Sequence, residues 1–209
     1  MSGRGFFLVL EGPEGSGKST LLQTLAERAR AAGRDPLVTR EPGGTSAGEA
    51  ARAILLDQEH PLGAQAELFL FLAARAELVR SVIRPALEAG RLVLADRYEL
   101  STLAYQVAGR GLDQSATMAA NALATGGLKP DLTLIVDLPP DEGRARQVAA
   151  GKRRDRLDRE TEAFHERVSA LYLATVAGNV RHLDGRLAPP ALAEAAWTAL
   201  RESGAITGH

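Results

Sequence analysis

Short apolar runs alternate with longer amphipathic stretches along this chain. The runs are FFLVL (Phe6–Leu10), PLVTR (Pro36–Arg40), RLVLAD (Arg91–Asp96), LTLIVD (Leu132–Asp137) and VRHLD (Val180–Asp184). Runs this short, built mainly from Val, Leu, Ile and Phe, read as strands buried in a parallel sheet. Between them, apolar positions recur at helical spacing over Lys18–Ala32, Pro61–Glu88, Asp113–Thr125, Asp141–Ala150, Glu160–Ala177 and Pro189–Glu202. Strand–helix alternation predicts an α/β fold in three layers, a five-stranded parallel sheet with helices on both faces. One segment breaks the rhythm. KRRDRLDRE (Lys152–Glu160) has eight charged residues in nine and follows Gly151 between two helices.

The first strand runs into a loop with its own chemistry. Gly12-Pro13-Glu14-Gly15-Ser16-Gly17-Lys18-Ser19 fits G-x-x-x-x-G-K-[ST], followed by Thr20 and a helix. This strand–loop–helix context is the one a phosphate-binding loop requires. The glycines let backbone N–H groups converge on phosphate oxygens at the positive end of the helix dipole. Lys18 is expected on the β- and γ-phosphates and the Ser19 hydroxyl on Mg²⁺. Glu14 is the anomaly, a carboxylate in a loop built for a polyanion. Only Lys18, Lys129 and Lys152 are lysines, against a background rich in arginine, so Lys18 stands out.

A second cluster follows the later strands, at the carboxyl ends where ligands bind in open α/β sheets. The turn Glu41-Pro42-Gly43-Gly44 follows Arg40, and Arg52 lies on the next helix. Phe71 and Arg75 are four apart, on one helical face, and supply a ring to stack on a flat heterocycle and a guanidinium to donate to it. Asp96 leaves the third strand beside the phosphate loop, where it suits Mg²⁺ and its waters. Arg97 comes next, then Thr102 and Gln106, four apart on the following helix.

Composition narrows the classes. The 209 residues are 45% hydrophobic, which suits one domain over 1–209 with a sizeable core and room for a small appendage. A net charge of −1 and a pI of about 6.4 give no basic field for nucleic acid. The absence of cysteine excludes disulfides and thiolate metal sites and fits the cytoplasm. The N-terminal apolar run is too short to cross a membrane and lacks a cleavage site. The four histidines (His60, His165, His182, His209) show no ligand spacing.

The stretches EGPEGSGKST, TREPGGT, FLAAR, DRYELSTLAYQ, GRGLDQ, KPDLTLIVDL and RLDRE, in this order and spacing, resemble the thymidylate kinase family from about Phe6 to beyond Tyr172. The resemblance implies a P-loop NTPase-type fold, a Mg²⁺-dependent homodimer, and transfer of the γ-phosphoryl of ATP to dTMP. It implies Phe71 stacked on thymine, Arg75 on its carbonyl oxygen, and Thr102 and Gln106 at the base edge. Arg52 and Arg97 would hold the acceptor phosphate, Tyr105 would close on the deoxyribose, and Glu41 would line the same pocket. Two alternatives stand beside it: a kinase of another nucleoside monophosphate, and a P-loop ATPase or nucleotide switch with no acceptor. A guanine-reading Asn-Lys-x-Asp is missing; LKPD (Leu128–Asp131) precedes a strand instead of following one.

Phosphoryl transfer needs positive charge around the migrating group. The phosphate loop contains no arginine, so a small lid at about 150–160, which the resemblance places over the charged run, is expected to supply one, with Arg156 first and Arg153 second by family position. Glu14 then falls between two nucleotide sites, where it could accept a hydrogen bond from the acceptor's 3′-hydroxyl or orient the arriving lid arginine.

Overall fold

Leu8 and Leu10 face one side of the first strand, β1 (Phe6–Glu11), while Phe7 and Val9 face the other, and all four are fully buried or nearly so. A strand apolar on both faces must lie inside a covered sheet. The computed structural model, which describes residues 4–59 and 61–206, places β1 at the centre of a five-stranded sheet. It is flanked by β3 (Leu92–Asp96) and β4 (Leu132–Asp137), with β2 (Leu37–Arg40) and β5 (Val180–Asp184) at the two edges. All pairings are parallel, in the order β2–β3–β1–β4–β5. Each expected strand forms within one residue of its expected ends.

One face of the sheet packs Leu8, Leu10, Leu94, Leu134 and Val136 against helices α1 (Lys18–Ala31) and α9 (Pro189–Glu202). On the other, Phe7, Val9, Val93 and Ala95 meet Leu78, Val79, Ile83 and Leu87. These come from α3 (Ala64–Leu78) and the turns after it, with α2 (Ser46–Leu56) alongside α3. The α/β layering expected from the hydrophobic pattern is therefore what the chain adopts.

Strand order creates the cleft. From β1 the chain crosses to β2, beyond β3; from β3 it returns to β4, on the far side of β1. Connections thus leave β1 and β3 in opposite directions, and a crevice opens at their carboxyl ends. Register pairs Leu10 with Asp96, and the Arg97 N–H donates to Leu10 O at 2.9 Å. The phosphate loop and the Asp96-Arg97 corner therefore leave the sheet side by side.

Two helices depart from expectation. The helix expected over Pro61–Glu88 is α3, then a π-helical turn at Val79–Ile83, then α4 (Arg84–Glu88). Pro85 explains the break: it has no N–H, and its ring would strike the Ser81 carbonyl in a regular α-helix. Widening the preceding turn relieves that contact. The helix expected to hold both Thr102 and Gln106 is likewise α5 (Glu99–Thr102) continued as a π-helix over Leu103–Gly109. Downstream lie α6 (Gln114–Thr125), α7 (Pro140–Ala149) and α8 (Glu162–Ala174), with a short 3₁₀ turn at Leu157–Arg159 before α8.

The phosphate loop rests on the first turn of α7. A Cβ on Gly15 (φ +75°) would lie 2.2 Å from Gly143 O, and one on Gly143 would lie 2.2 Å from Glu14 O. Both partners are backbone, which cannot swing aside. Gly143→Ala should destabilise the protein by about 1–3 kcal/mol in urea denaturation, the usual range for overpacking. Gly178→Ala, which meets nothing within 4 Å, serves as the control and should move stability by no more than about 0.5 kcal/mol. Equal stability of the two variants would show that the loop does not need this contact.

Candidate functional site: a cleft between the phosphate loop and a buried arginine

A cleft of about 480 Å³ opens at the carboxyl ends of β1 and β3, within the range of small-molecule sites. One wall is the phosphate loop. Lys18 is buried and turns its ammonium back on the loop, donating to Gly12 O (3.0 Å), Pro13 O (2.7 Å) and Ser16 Oγ (3.3 Å). Burial, then repulsion from Arg97, lowers its pKa to about 8. The Ser19 hydroxyl donates to Asp96 Oδ2 at 2.8 Å, so the two expected metal-site groups touch. Among the described residues no cluster of three or more carboxylate or imidazole groups could hold a metal alone. The Ser19 hydroxyl and the Asp96 carboxylate are oxygen donors of the kind Mg²⁺ takes beside phosphate and water. Thr20 follows on α1 and lines the cleft with Gly15 and Gly17.

Arg97 spans the middle of the cleft. Its φ of 75° is left-handed, an uncommon state for a residue with a side chain. It donates to Glu14 Oε1 (2.6 Å), Tyr105 OH (3.2 Å), Ser101 Oγ (3.0 Å) and Tyr172 OH (3.0 Å). Glu14 also receives Lys152 Nζ on its other oxygen, at 3.2 Å. Burial pushes the Glu14 carboxyl up, but Arg97, Lys18 and Lys152 outweigh it and hold the group well below the usual carboxylate range. Glu14 is therefore an anion that gathers three cations at the hinge of the cleft. The lid group that meets it is a lysine, Lys152, where the sequence led us to expect an arginine.

Behind Arg97 stands Glu11, a fully buried carboxylate to which the sequence assigned no role. Its Oε1 accepts the N–H groups of Tyr98 (2.9 Å) and Ser101 (3.1 Å) at the start of α5; its Oε2 accepts the hydroxyls of Ser101 (2.6 Å) and Tyr172 (3.0 Å). The same two hydroxyls accept from Arg97. Glu11 thus caps α5 and fixes the seat of Arg97 in one arrangement. Burial raises its pKa against the pull of Arg97 and these hydrogen bonds.

The opposite wall is built around Arg75, with 1% exposure. It donates to Glu41 Oε2 (2.7 Å), Thr102 Oγ1 (2.7 Å), Asn121 Oδ1 (2.6 Å) and Tyr98 O (2.9 Å), and a second nitrogen reaches Glu41 at 2.6 Å. Four of its five N–H groups donate to protein acceptors and the fifth belongs to the nitrogen that pairs with Glu41, so little donor capacity on Arg75 is left free for a ligand carbonyl. Glu41 precedes Pro42 through a cis peptide bond. Arg52 is tied to Pro42 O at 2.9 Å and lines the cleft, as do Phe71, Thr102, Tyr105 and Gln106. Asn121 had no signal in the sequence beyond being polar on an apolar helix; its amide also donates to Glu99 at 3.0 Å, which Lys129 holds at 2.6 Å.

The structure brings the expected acceptor-side residues together with most of the loop, Glu14, Gly15 and Gly17 to Thr20, in one cleft, and neither lid arginine lines it. Arg153 is exposed. Arg156, expected at the migrating phosphoryl, points instead to the acceptor side: it donates to Leu55 O (2.9 Å) and Glu67 Oε2 (2.6 Å) and does not line the cleft. The deciding group is Glu67, a buried carboxylate that outcompetes an open position over the loop. Its sequence signal was present, since Glu67, Phe71 and Arg75 are spaced by four along α3. His165 and His182 do not line the cleft, and His60 and His209 lie outside the described residues.

A family model described as thymidylate kinase matches residues 10–188. Similar curated proteins include the thymidylate kinase of Thermomicrobium roseum, 50% identical over 200 residues that cover 94% of this chain and 95% of the relative. The thymidylate kinase of Pseudomonas fluorescens is 52% identical over 83% of this chain and 82% of its own. That of Desulfovibrio desulfuricans is 51% identical over 80% and 81%.

A lysine titrating near pH 8 should report the arrival of a triphosphate. The free protein holds Lys18 about half protonated at pH 8, and a neighbouring polyanion raises its pKa, so binding takes up protons. Calorimetric titration with ATP at pH 8, in two buffers of different ionisation enthalpy, should show uptake approaching half a proton. Lys18→Arg, whose guanidinium stays charged, should lose that uptake; equal uptake by both proteins would exclude Lys18 as its source.

Proposed function

The chain belongs to the thymidylate kinase family, and on that premise we propose that it transfers the γ-phosphoryl group of ATP to dTMP, releasing ADP and dTDP, in the supply of dTTP. The observation that carries the reading is that one cleft has two unlike walls, a phosphate loop with Lys18 and an arginine shelf with Phe71 and Arg75, joined by Arg97. A hydrolase or switch needs only the first wall.

ATP lies with its phosphates in the loop Gly12–Thr20, β and γ oxygens on Lys18. The thymine of dTMP stacks on Phe71 and meets Arg75, Thr102 and Gln106, while Arg52 and Arg97 hold its phosphate. Tyr105, buried beside Arg97, closes the sugar end, and Glu14 retains lone pairs for the 3′-hydroxyl. An oxygen of the dTMP phosphate attacks the γ-phosphorus, and the bond to the β–γ bridging oxygen breaks. That attacking oxygen is already anionic, so no general base is required. Catalysis is then mainly alignment and charge neutralisation. Lys18 and Arg97 supply the fixed cations; Lys152 and Arg153 come from the lid, the segment of about 150–160, which also excludes water from ATP. Mg²⁺ held near Ser19 and Asp96 would neutralise charge on the phosphates. We place the reaction in the cytoplasm; among the described residues no helix is long and apolar enough to cross a membrane.

We further propose a homodimer through the face of α3 within Ala64–Val82 together with α6. Phe69 is 63% and Leu123 86% exposed on these packed helices, large apolar groups that a second copy would cover. Phe69→Glu should shift sedimentation from dimer to monomer; an unchanged sedimentation coefficient rejects this face.

Phosphate transfer measured with dTMP, dUMP, dCMP, AMP and GMP tests the activity. dTMP should give the highest kcat/KM, and ATP should be consumed slowly without an acceptor. Phe71→Ala should raise KM for dTMP about 10–100-fold, the scale of one lost stacking contact with its buried area, and leave KM for ATP within about two-fold. A different preferred base would make the protein another monophosphate kinase, and acceptor-independent turnover would make it an ATPase.

A further inference from the structure

Gln106 of the acceptor pocket and Arg156 of the lid meet on one buried carboxylate. Glu67, in the first turn of α3, has no exposed surface. Its Oε1 accepts from Gln106 Nε2 (2.9 Å) and Arg110 Nε (3.1 Å), and its Oε2 from Arg110 (2.9 Å) and Arg156 (2.6 Å). Four hydrogen bonds saturate a carboxylate. Burial pushes Glu67 up, but the hydrogen bonds from Arg110, Gln106 and Arg156 outweigh it and lower its pKa.

The lid is fastened on the same side by other contacts. Arg156 donates to Leu55 O, and the Gln58 amide to Arg154 O, both at the end of α2. Arg110, besides holding Glu67, pairs with Glu160 at 2.7 Å where the lid rejoins α8. Lid opening must therefore withdraw Arg156 from Glu67. The carboxylate is then left buried with one cation fewer, and Gln106 loses the balanced partner that sets its amide.

We propose that Glu67 is a positioning residue that couples lid closure to recognition of the acceptor base: Arg156 latches the lid onto the carboxylate that orients Gln106. This rests on the reading of the cleft as a dTMP pocket under a lid. Coupling is reciprocal. A base that fixes Gln106 favours the latched lid, and a latched lid tightens the grip on the base. ATP is then enclosed preferentially when the correct acceptor is present, which limits its loss to water. Arg156 acts on the acceptor side of the reaction in this scheme, and the cation nearest the phosphate loop from the lid is Lys152.

Limited trypsin digestion reads the latch directly, because Lys152 and Arg153 are exposed cleavage points within the lid. Cleavage after these residues is followed by mass spectrometry with and without saturating dTMP, with saturation and folding checked by calorimetry and circular dichroism. In the wild-type protein dTMP should slow lid cleavage about five-fold or more, the lower end of common coupling factors. In Arg156→Gln and Glu67→Gln the protection should fall below about two-fold, and Arg156→Lys should recover part of it. If Glu67→Gln fails to fold, Arg156→Gln, whose side chain is nearer the surface, decides alone. Full protection in a variant that binds dTMP overturns the coupling. A variant that folds but cannot be saturated also overturns it, since the network would then build the pocket instead of linking it to the lid. Wild-type protein that binds dTMP without lid protection rejects the coupling alone, whereas wild-type protein that does not bind dTMP rejects the acceptor reading and the coupling together.

Discussion

The parallel pairing of β1 with β3 is the constraint on which the rest depends. Leu10 opposite Asp96 brings the end of one strand level with the end of the other. A slip of one residue would turn Leu8 and Leu10 to the wrong face of the sheet and would part Ser19 from Asp96. Because both faces of β1 are covered, such a slip would leave these groups buried but set each against the neighbours shaped for the other face, and close-packed cores tolerate that poorly. The packing of the hydrophobic core thus holds the site in register.

The second organising element is charge placed where water is scarce. Arg75 is a buried guanidinium and Arg97 a partly buried one, and each is surrounded by acceptors so that little of its charge is unpaired. Breaking such a pair costs more than forming it gains, because the remaining charge stays buried. The protein therefore has reason to keep Glu14, Glu41 and Glu11 even though they lie near a polyanion's site. Glu14 lowers the mutual repulsion of Lys18, Arg97 and Lys152; Glu41 neutralises Arg75; Glu11 holds the hydroxyls that Arg97 needs. Removing these acids would leave cations that no longer have a defined position.

Legibility in the sequence followed the range of the interaction that decides each feature. The phosphate loop was readable because eight consecutive residues determine it, with a strand before and a helix after. The helical face bearing Phe71 and Arg75 was readable because spacing alone sets it. The π-helical turn before Pro85 was in principle readable from that proline, yet helical periodicity continues through it and hides the break. Family position ranked Arg156 ahead of Arg153, but the direction either takes was not legible, since a run of charges states no partner. Glu67, 89 residues away along the chain, and the Leu55 carbonyl together hold Arg156 on the acceptor side.

The sequence by itself determined the alternation of buried strands and amphipathic helices, the phosphate loop, and the residue types at the acceptor side, because each is encoded by neighbours within a few positions. Tertiary structure alone decided the order of strands, the cis turn at Glu41–Pro42, the enclosure of Glu11, Glu14 and Glu67 by cations and donors, and the direction each lid residue takes. Those outcomes depend on which distant groups share a low-dielectric space. A carboxylate has no role until its counter-charges arrive, and folding is what brings them.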